Sequence, residues 1–423
     1  MSLQTRLPGA WRALALLLAI NLFNYIDRYI LAAVEPEVRR AFFAPGDPSA
    51  MAKTGMLVTA FLISYMVLAP VFGWLADRYS RWVLVGVGVG LWSLASGASG
   101  LAASFALLFL TRIFVGVGES SYGPAAPTLI ADYFDPSARG RVLSLFYLAI
   151  PVGSALGYVL GGVIGKAFGW RWPFYVVTIP GLILAALCVL MREPRKGGEA
   201  EKRARGVPLR EVLLSLRGNR SFLLNTAAMT AMTFSIGGLS FWVPAYIHEY
   251  RGQPDLGAIN LRFGAITVAA GLLATFAGGW LSDALKRRLP GAYFWVSGVG
   301  MMIAFPLTAA MLFTPFPWFW WMLFGVEFFL FFNTGPANAA LVEVTSPAIR
   351  STAFAVNIFL IHALGDAISP PLIGAIADRW QMNTAFLAVS VMIAIAGLFW
   401  FAGAKYFVSD SETAEATPHL TGS

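Results

Sequence analysis

Apolar runs long enough to cross a bilayer recur along the whole chain, and they restrict the possible folds more than any other feature. Lipid offers no hydrogen-bond partner to backbone groups, so only helices or closed barrels can span it. The runs do not alternate apolar and polar residues as barrel strands do. Only 12% of the residues are charged, about half the usual share in soluble domains. The sequence therefore predicts an all-α membrane protein.

Runs of roughly 20 apolar residues mark the individual spans. They predict twelve transmembrane helices, at about 12–38, 51–75, 82–103, 106–134, 140–167, 171–192, 219–248, 257–285, 291–313, 316–346, 349–378 and 382–407. We expect an N-terminal six-helix bundle (1–192), a cytoplasmic linker (193–218), a C-terminal six-helix bundle (219–407) and a disordered cytoplasmic tail (408–423). Within the linker, LREVLLSLRG has helical periodicity and predicts a short helix lying on the membrane.

The distribution of basic residues predicts the orientation of the chain. Twenty of the 30 Lys and Arg residues fall on the side of the termini and linker, and eight on the other side. Both termini are therefore expected in the cytoplasm. The net charge of +8 is explained by this topology, so we predict a lipid bilayer, and no nucleic acid, as partner.

Several kinds of chemistry lack a sequence basis. The single cysteine, Cys188, lies in an apolar run and is interpreted as packing filler, and the three histidines have no metal-ligand spacing. GVGVG at 86–90 follows no strand, so we interpret it as part of a thin membrane helix. No His/Asp/Ser constellation supports a membrane-embedded lipid enzyme. We predict no enzyme activity, no cofactor and no metal.

The two halves of the chain resemble each other. GWLADRYSR at 73–81 recurs as GWLSDALKR at 279–287, and YGPAAPTLIADYFDPSARG from Tyr122 recurs as TGPANAALVEVTSPAIRS from Thr334. A repeat of six spans places both copies in the same orientation. This is the parallel two-bundle plan of many secondary transporters, with a substrate site expected at the repeat interface.

Three charged residues within the apolar runs of the first half point to a polar cavity. Arg112 and Glu119 are seven residues apart, which places them on nearly the same helix face. Asp27 lies in the first span, and such charges normally face a bundle interior. The repeat places Phe324 and Phe331 at the positions of Arg112 and Glu119. A cavity that is charged on one side and aromatic on the other suits an amphipathic substrate.

The motif G-x-L-x-D-R-x-x-R at 73–81 resembles the loop motif of the major facilitator superfamily. NYIDR at 24–28, R-x-x-x-GVGESSY at 112–122, APTLIAD at 126–132 and RSTAFAVNIFLIHALGDAISPPLIG at 350–374 resemble the Spinster family, which includes sphingosine-1-phosphate and lysophospholipid transporters. The resemblance implies a proton-linked, alternating-access carrier of lysolipid-like molecules. The short termini differ from those of animal members and suggest a bacterial, multi-pass protein of the cell (inner) membrane.

From these patterns we predict a carrier of an amphipathic anion that is coupled to protons. The predicted proton-coupling residues are Asp27 and Glu119. The predicted substrate-binding residues are Arg112, Tyr122, Trp242 and Phe331. The predicted cytoplasmic gate, which would latch the bundles together, consists of Asp77, Arg78, Arg81, Asp132, Arg139, Asp283, Arg287, Glu343 and Arg350.

Alternatives remain open at several of these positions. Asp27 could form a purely structural ion pair with Arg28 or Arg112, Glu119 a structural pair with Arg112, and the gate residues could simply determine topology. The roles of Glu327, His362 and Asp366 are not assigned, although Asp366 has a structural interpretation near two prolines. The alternative function is a proton-linked or facilitative carrier of a small organic anion or drug. We expect a monomer.

Overall fold

A computed structural model describes residues 7–135, 142–143, 145–192, 208–346 and 349–416. The first half contains the helices α1 (Ala10–Ala33), α2 (Glu35–Phe42), α3 (Ala50–Arg78), α4 (Arg81–Leu101), α5 (Phe105–Glu119), α6 (Tyr122–Tyr133), α7 (Ala149–Phe168) and α8 (Trp172–Val189). The second half contains α9 (Leu209–Gly218), α10 (Arg220–Glu249), α11 (Leu256–Lys286), α12 (Ala292–Met311), α13 (Trp318–Phe331), α14 (Thr334–Glu343), α15 (Arg350–Ile361), α16 (Ser369–Arg379), α17 (Met382–Ala404) and α18 (Phe407–Ala416). The prediction of an all-helical membrane protein is confirmed.

Eleven helical stretches of the described chain are long and apolar enough to cross a membrane. The tenth predicted span, 316–346, is instead built from α13 and α14, which are separated by Phe332 and Asn333. The fourth span is interrupted in the same way at Ser120 and Ser121. The two interruptions fall at equivalent positions of the sequence repeat, so the second half repeats the structure of the first as well as its motifs.

The helix predicted for LREVLLSLRG is confirmed as α9. Residues 408–416, which were predicted to be disordered, belong to the helix α18. The carboxylate of Asp410 explains part of this order, because it accepts a hydrogen bond of 2.8 Å from the backbone nitrogen of Ser221.

Close contacts divide the chain into two compact units. The first contains residues 1–196, 240–268 and 370–378, and the second contains 197–239, 269–369 and 379–423. In the first unit α1 packs along α7, α4 along α8, and α5 against both α3 and α4; in the second, α12 packs along α17 and α13. The bundle boundaries given by the linker remain a prediction.

Glycines spaced four residues apart on α7 bring α1 unusually close. A Cβ on Gly153 would lie 2.7 Å from the carbonyl oxygen of Leu22, and one on Gly157 would lie 2.7 Å from that of Ile26. Small residues at this spacing let membrane helices approach backbone to backbone. Gly153 and Gly157 therefore fix the position of the part of α1 that contains Asp27.

Gly157→Ala is expected to destabilise the protein by about 1–3 kcal/mol, because the new methyl group meets backbone that cannot move without shifting α1. Thermal unfolding in detergent measures the effect. Gly279→Ala is the matched control, since nothing lies within 4 Å of its added Cβ. Equal unfolding temperatures for the two variants would contradict the close packing of α1 on α7.

Candidate substrate and proton site

The helices α1 and α5 bring four charged side chains together in two ion pairs. Arg112 Nη1 lies 3.5 Å from Asp27 Oδ2, and Arg28 Nη2 lies 2.7 Å from Glu119 Oε2. Asp27 and Arg28 are consecutive on α1, whereas Arg112 and Glu119 are two turns apart on α5. Along the chain, the carboxylate precedes the arginine on α1, and the arginine precedes the carboxylate on α5. With this reversed order, each arginine faces a carboxylate of the other helix.

Asp27 and Arg112 form the more deeply buried pair, since the side chains are only 3% and 2% exposed. The hydroxyl of Ser96, on α4, donates a hydrogen bond to Asp27 Oδ1. The oxygen that faces Arg112, Oδ2, accepts no hydrogen bond from the described residues. A separation of 3.5 Å permits electrostatic attraction but is long for a hydrogen bond.

Arg112 also has unused donors. Its Nε and Nη1 groups are buried and donate to no acceptor within the described part of the chain. A buried donor without an acceptor is costly, and the cost rises for a charged group. An oxyanion placed beside Arg112 would accept these hydrogen bonds and lower that cost. The side chain is therefore suited to bind a carboxylate or phosphate.

Arg28 is the more accessible of the two arginines, with 20% of its side chain exposed, while that of Glu119 is fully buried. Its guanidinium carbon lies 5.0, 4.8 and 5.5 Å from the ring centroids of Tyr25, Phe61 and Tyr65. Aromatic faces at this distance attract a cation without neutralising it. Arg28 therefore combines a charged group, a largely aromatic setting and a side chain that is 20% exposed.

The sequence predicted Asp27, Arg112 and Glu119 as site residues and named Arg28 only as a possible partner of Asp27. Consecutive residues on a helix face about 100° apart, so a shared site for Asp27 and Arg28 is not evident from the sequence. The structure shows that α1 presents both residues to α5. The ring of Phe61 links the two pairs, since it lies 4.8 Å from the Arg28 guanidinium and 5.8 Å from that of Arg112. The aromatic residues Tyr25, Phe61 and Tyr65 are the sequence features that accompany Arg28 among its described contacts.

The other predicted substrate residues have structural contacts. The hydroxyl of Tyr122 donates to the carbonyl oxygen of Leu17 at 2.8 Å, and Trp242 Nε1 donates to that of Pro370 at 2.9 Å. Phe331 lies in the second unit, packed against a cluster that includes Phe332. These contacts orient the rings, and the substrate-binding role of all three remains a prediction.

The predicted gate residues form ion pairs inside each unit. Arg81 Nη2 lies 2.6 Å from Asp132 Oδ2, and Lys286 pairs with Glu343 in the corresponding region of the second half. The sequence repeat predicts that Arg287, the counterpart of Arg81, pairs with Glu343. In the structure the neighbouring residue, Lys286, forms this ion pair instead.

The remaining gate positions make weaker contacts. Arg78 Cζ stacks 3.9 Å from the ring of Trp74, Asp283 accepts from Tyr293 at 3.1 Å, and Arg350 donates to the carbonyl oxygen of Thr345 at 3.2 Å. Arg287 is exposed. Arg139 and the side chain of Asp77 lie outside the described residues. The role of all these residues as a latch remains a prediction.

The charged residues left unassigned in the second half also have defined positions. His362 and Asp366 begin and end a π-helical turn between α15 and α16, and His362 Nδ1 lies 3.0 Å from both carboxylate oxygens. Glu327, on α13, is buried. Asp366 therefore has a side-chain partner where the sequence suggested contacts with backbone.

The chain has two sets of spanning helices in repeated order, and ion pairs are buried inside the spans of the first set. This architecture is typical of secondary transporters. The sequence matches the Major Facilitator Superfamily over residues 17–369. It is 38% identical over 379 residues to the protein spinster of Drosophila melanogaster, covering 87% of this chain and 62% of that protein. It is 34% identical over 431 residues to the sphingosine-1-phosphate transporter SPNS2 of Mus musculus, covering 93% of this chain and 77% of that protein.

The fold is also similar to a solved structure, a bacterial homolog of the human lysosomal transporter Spinster in an inward-facing, unoccupied conformation. The TM-score is 0.83 at 23% identity, and the alignment covers 95% of this chain and 98% of that one. At this identity the likeness shows the fold. The chain belongs to the Spinster family of the major facilitator superfamily, and it is a multi-pass membrane transporter.

Proposed function

We propose that the chain carries an amphipathic anion of the lysolipid type across the cell (inner) membrane by alternating access, coupled to protons. The observation that carries this proposal is the buried guanidinium of Arg112, whose Nε and Nη1 donors have no acceptor among the described residues. A phosphate or carboxylate headgroup supplies paired acceptors in the geometry that arginine binds best. Sphingosine-1-phosphate, named for the mouse relative, is an anion of this kind.

The proposed coupling follows from the ion pairs. A headgroup that arrives at Arg28 competes with Glu119 for the guanidinium, and one that reaches Arg112 competes with Asp27. A buried carboxylate that loses its cation is expensive to keep charged, so it binds a proton. Anion and proton therefore bind together and move in the same direction.

The remaining features of the proposal concern the setting of the carrier. Both termini face the cytoplasm, the protein is a monomer, and the ion pairs Arg81–Asp132 and Lys286–Glu343 belong to a latch at the cytoplasmic helix ends. The two-unit architecture and the repeated helix interruptions support alternation between two states.

Arg112→Lys is expected to weaken uptake of lysophosphatidic acid into proteoliposomes roughly tenfold, although the charge is kept, because lysine lacks the planar fork that binds two oxygens at once. The readout is the initial rate as a function of lysolipid concentration. Arg217→Lys, at an exposed position of α9, is the control and should leave uptake unchanged.

Native mass spectrometry of copurified lipids gives an independent measure of the substrate. Anionic lysolipid retained by the wild type and lost from Arg112→Ala would support the proposal. The proposal would be contradicted by lysolipid uptake that is unchanged in both Arg112 variants. It would also be contradicted by faster uptake of a small organic anion without an acyl chain.

A further inference from the structure

A second group of charged side chains, centred on the buried Glu35, lies at the distal end of the first unit, defined by residues 33–54, 245–260 and 370–378. The basic-residue count predicts that this end faces away from the cytoplasm. Here the end of α10 and the start of α11 contact α2 and α1: Arg40 Nη2 lies 3.4 Å from His248 Nε2 on α10, and Asn260 Nδ2 on α11 donates to the carbonyl oxygen of Ala33 at 3.0 Å. None of these residues belongs to the site formed by α1 and α5.

Glu35, the first residue of α2, is fully buried at this end. Its Oε1 accepts hydrogen bonds of 2.9 Å from Arg39 Nε and 2.9 Å from the Thr54 hydroxyl. Its Oε2 is also buried and accepts no hydrogen bond from any residue in the described ranges. A carboxylate oxygen in this position is a natural place for a proton, because protonation removes the cost of burying the charge.

Arg39 is shared between two carboxylates. While Nε binds Glu35, Nη2 binds the carboxylate of Glu249 at the end of α10. Two ionised carboxylates and one guanidinium leave one negative charge in excess. One bound proton makes the group of Glu35, Arg39 and Glu249 neutral.

Among the described residues, the neighbouring cations face other partners: Lys53, on α3, pairs with Asp47 at 3.7 Å. Arg40, on the same helix, donates to the carbonyl oxygen of Pro36 at 3.1 Å and faces Glu37 and His248. Asp378, on α16, adds a further acid, but its oxygens accept from the backbone nitrogens of Met51 and Ala52 at 3.1 and 2.9 Å. The phenol of Tyr250 is a further titratable neighbour of these carboxylates.

We propose that Glu35 is a proton-binding site that controls the distal end: it binds a proton when Glu249 docks on Arg39 and releases it when the end of α10 withdraws. Withdrawal removes Glu249 from Arg39 and admits water to Glu35, so the carboxylate regains both a cation of its own and hydration. This inference rests on the proposed alternation of the carrier. It adds a second proton site, remote from Asp27 and Glu119.

The direction of the pH effect follows from burial, which raises the pKa of Glu35 above its ordinary value, with partial opposition from Arg39. A raised pKa in the docked state means that this state holds a proton that the withdrawn state has lost. Docking is therefore strongest below the ordinary pKa of glutamate and weakens as the pH rises through the raised value. The ratio of withdrawn to docked molecules should rise by up to about tenfold per pH unit in that window.

Spin labels at Ala44→Cys and Pro254→Cys, in a Cys188→Ala background and in nanodiscs, report the distance between the distal ends of α2 and α10. Pulsed electron paramagnetic resonance from pH 5 to pH 8 should show a short distance in acid and a growing longer population in alkali. Glu35→Gln should stay docked throughout, and Glu249→Gln should also lose the pH response, because each removes the excess charge. Asp47→Asn removes a nearby acid outside the group and should keep the response.

The outcomes separate the two proposals. A pH response retained in Glu35→Gln, or a wild-type distance that changes with lysophosphatidic acid but not with pH, overturns the role of Glu35 and leaves alternation intact. A distance that changes with neither pH nor lysolipid overturns alternation itself. Monodisperse elution and an unchanged unfolding temperature for Glu35→Gln establish that the variant is folded.

Discussion

Arg28→Ala is expected to lower lysolipid uptake roughly 100-fold, which corresponds to the loss of about 3 kcal/mol from charge-assisted hydrogen bonds to the headgroup. Arg28 is the only one of the two site arginines with a substantially exposed side chain, at 20% against 2% for Arg112. Its loss also leaves the fully buried carboxylate of Glu119 without a cation, which destabilises the fold by about 3–5 kcal/mol. Initial uptake rates and unfolding temperatures measure the two effects.

A double substitution separates function from folding. In Arg28→Met/Glu119→Gln both charges are removed together, so the unfolding temperature should return close to that of the wild type. Uptake should remain low, because no guanidinium is left at the exposed side of the site. Recovery of transport together with stability would show that Arg28 has only a structural role.

Asp27→Asn is expected to abolish uptake driven by a pH gradient while preserving exchange of lysolipid in the absence of a gradient. Asparagine keeps the size of the side chain and can still accept the hydrogen bond from Ser96, but it cannot take up a proton. Because Arg112 then lacks its carboxylate, the variant should bind the anion at least as well as the wild type. Gradient-driven uptake and counterflow, measured on the same proteoliposomes, test both parts.

Asp47→Asn is the control for this experiment, since Asp47 lies at the distal end with Ser49 and Lys53 as its partners. It should keep gradient-driven uptake. An unchanged pH dependence in Asp27→Asn would rule out this residue as a coupling site. Loss of counterflow as well would assign Asp27 to the structure of the site, as half of an ion pair with Arg112.

The sequence was sufficient to predict the helical membrane fold and the repeat, because apolar length and basic-residue counts act on each span separately. It also singled out Asp27, Arg112 and Glu119, since charges within apolar runs must face protein or water. It did not reveal which carboxylate each arginine faces. A helical wheel gives directions around one helix, whereas the pairing depends on how α1 lies against α5.

Glu35 was missed for a related reason. It lies in the last turn of the first predicted span (12–38), where a charged residue ordinarily meets water. In the structure Glu35 is buried where α2 meets Thr54 of α3, and where Arg39 joins α2 to Glu249 at the end of α10. The interruption between α13 and α14 was missed because Phe332 continues the apolar run and a single polar residue, Asn333, does not end a predicted span.

The reversed order of charges on α1 and α5 has a consequence for selectivity. Two positive and two negative charges that alternate in this way form an electrostatic quadrupole, whose far field decays much faster than that of a single ion. A solute passing at a distance is neither attracted nor repelled strongly, so discrimination begins only when its headgroup touches a guanidinium. At the proposed substrate site, selection would therefore depend on the shape of the headgroup and its contacts, and not on enrichment of anions from the surrounding water.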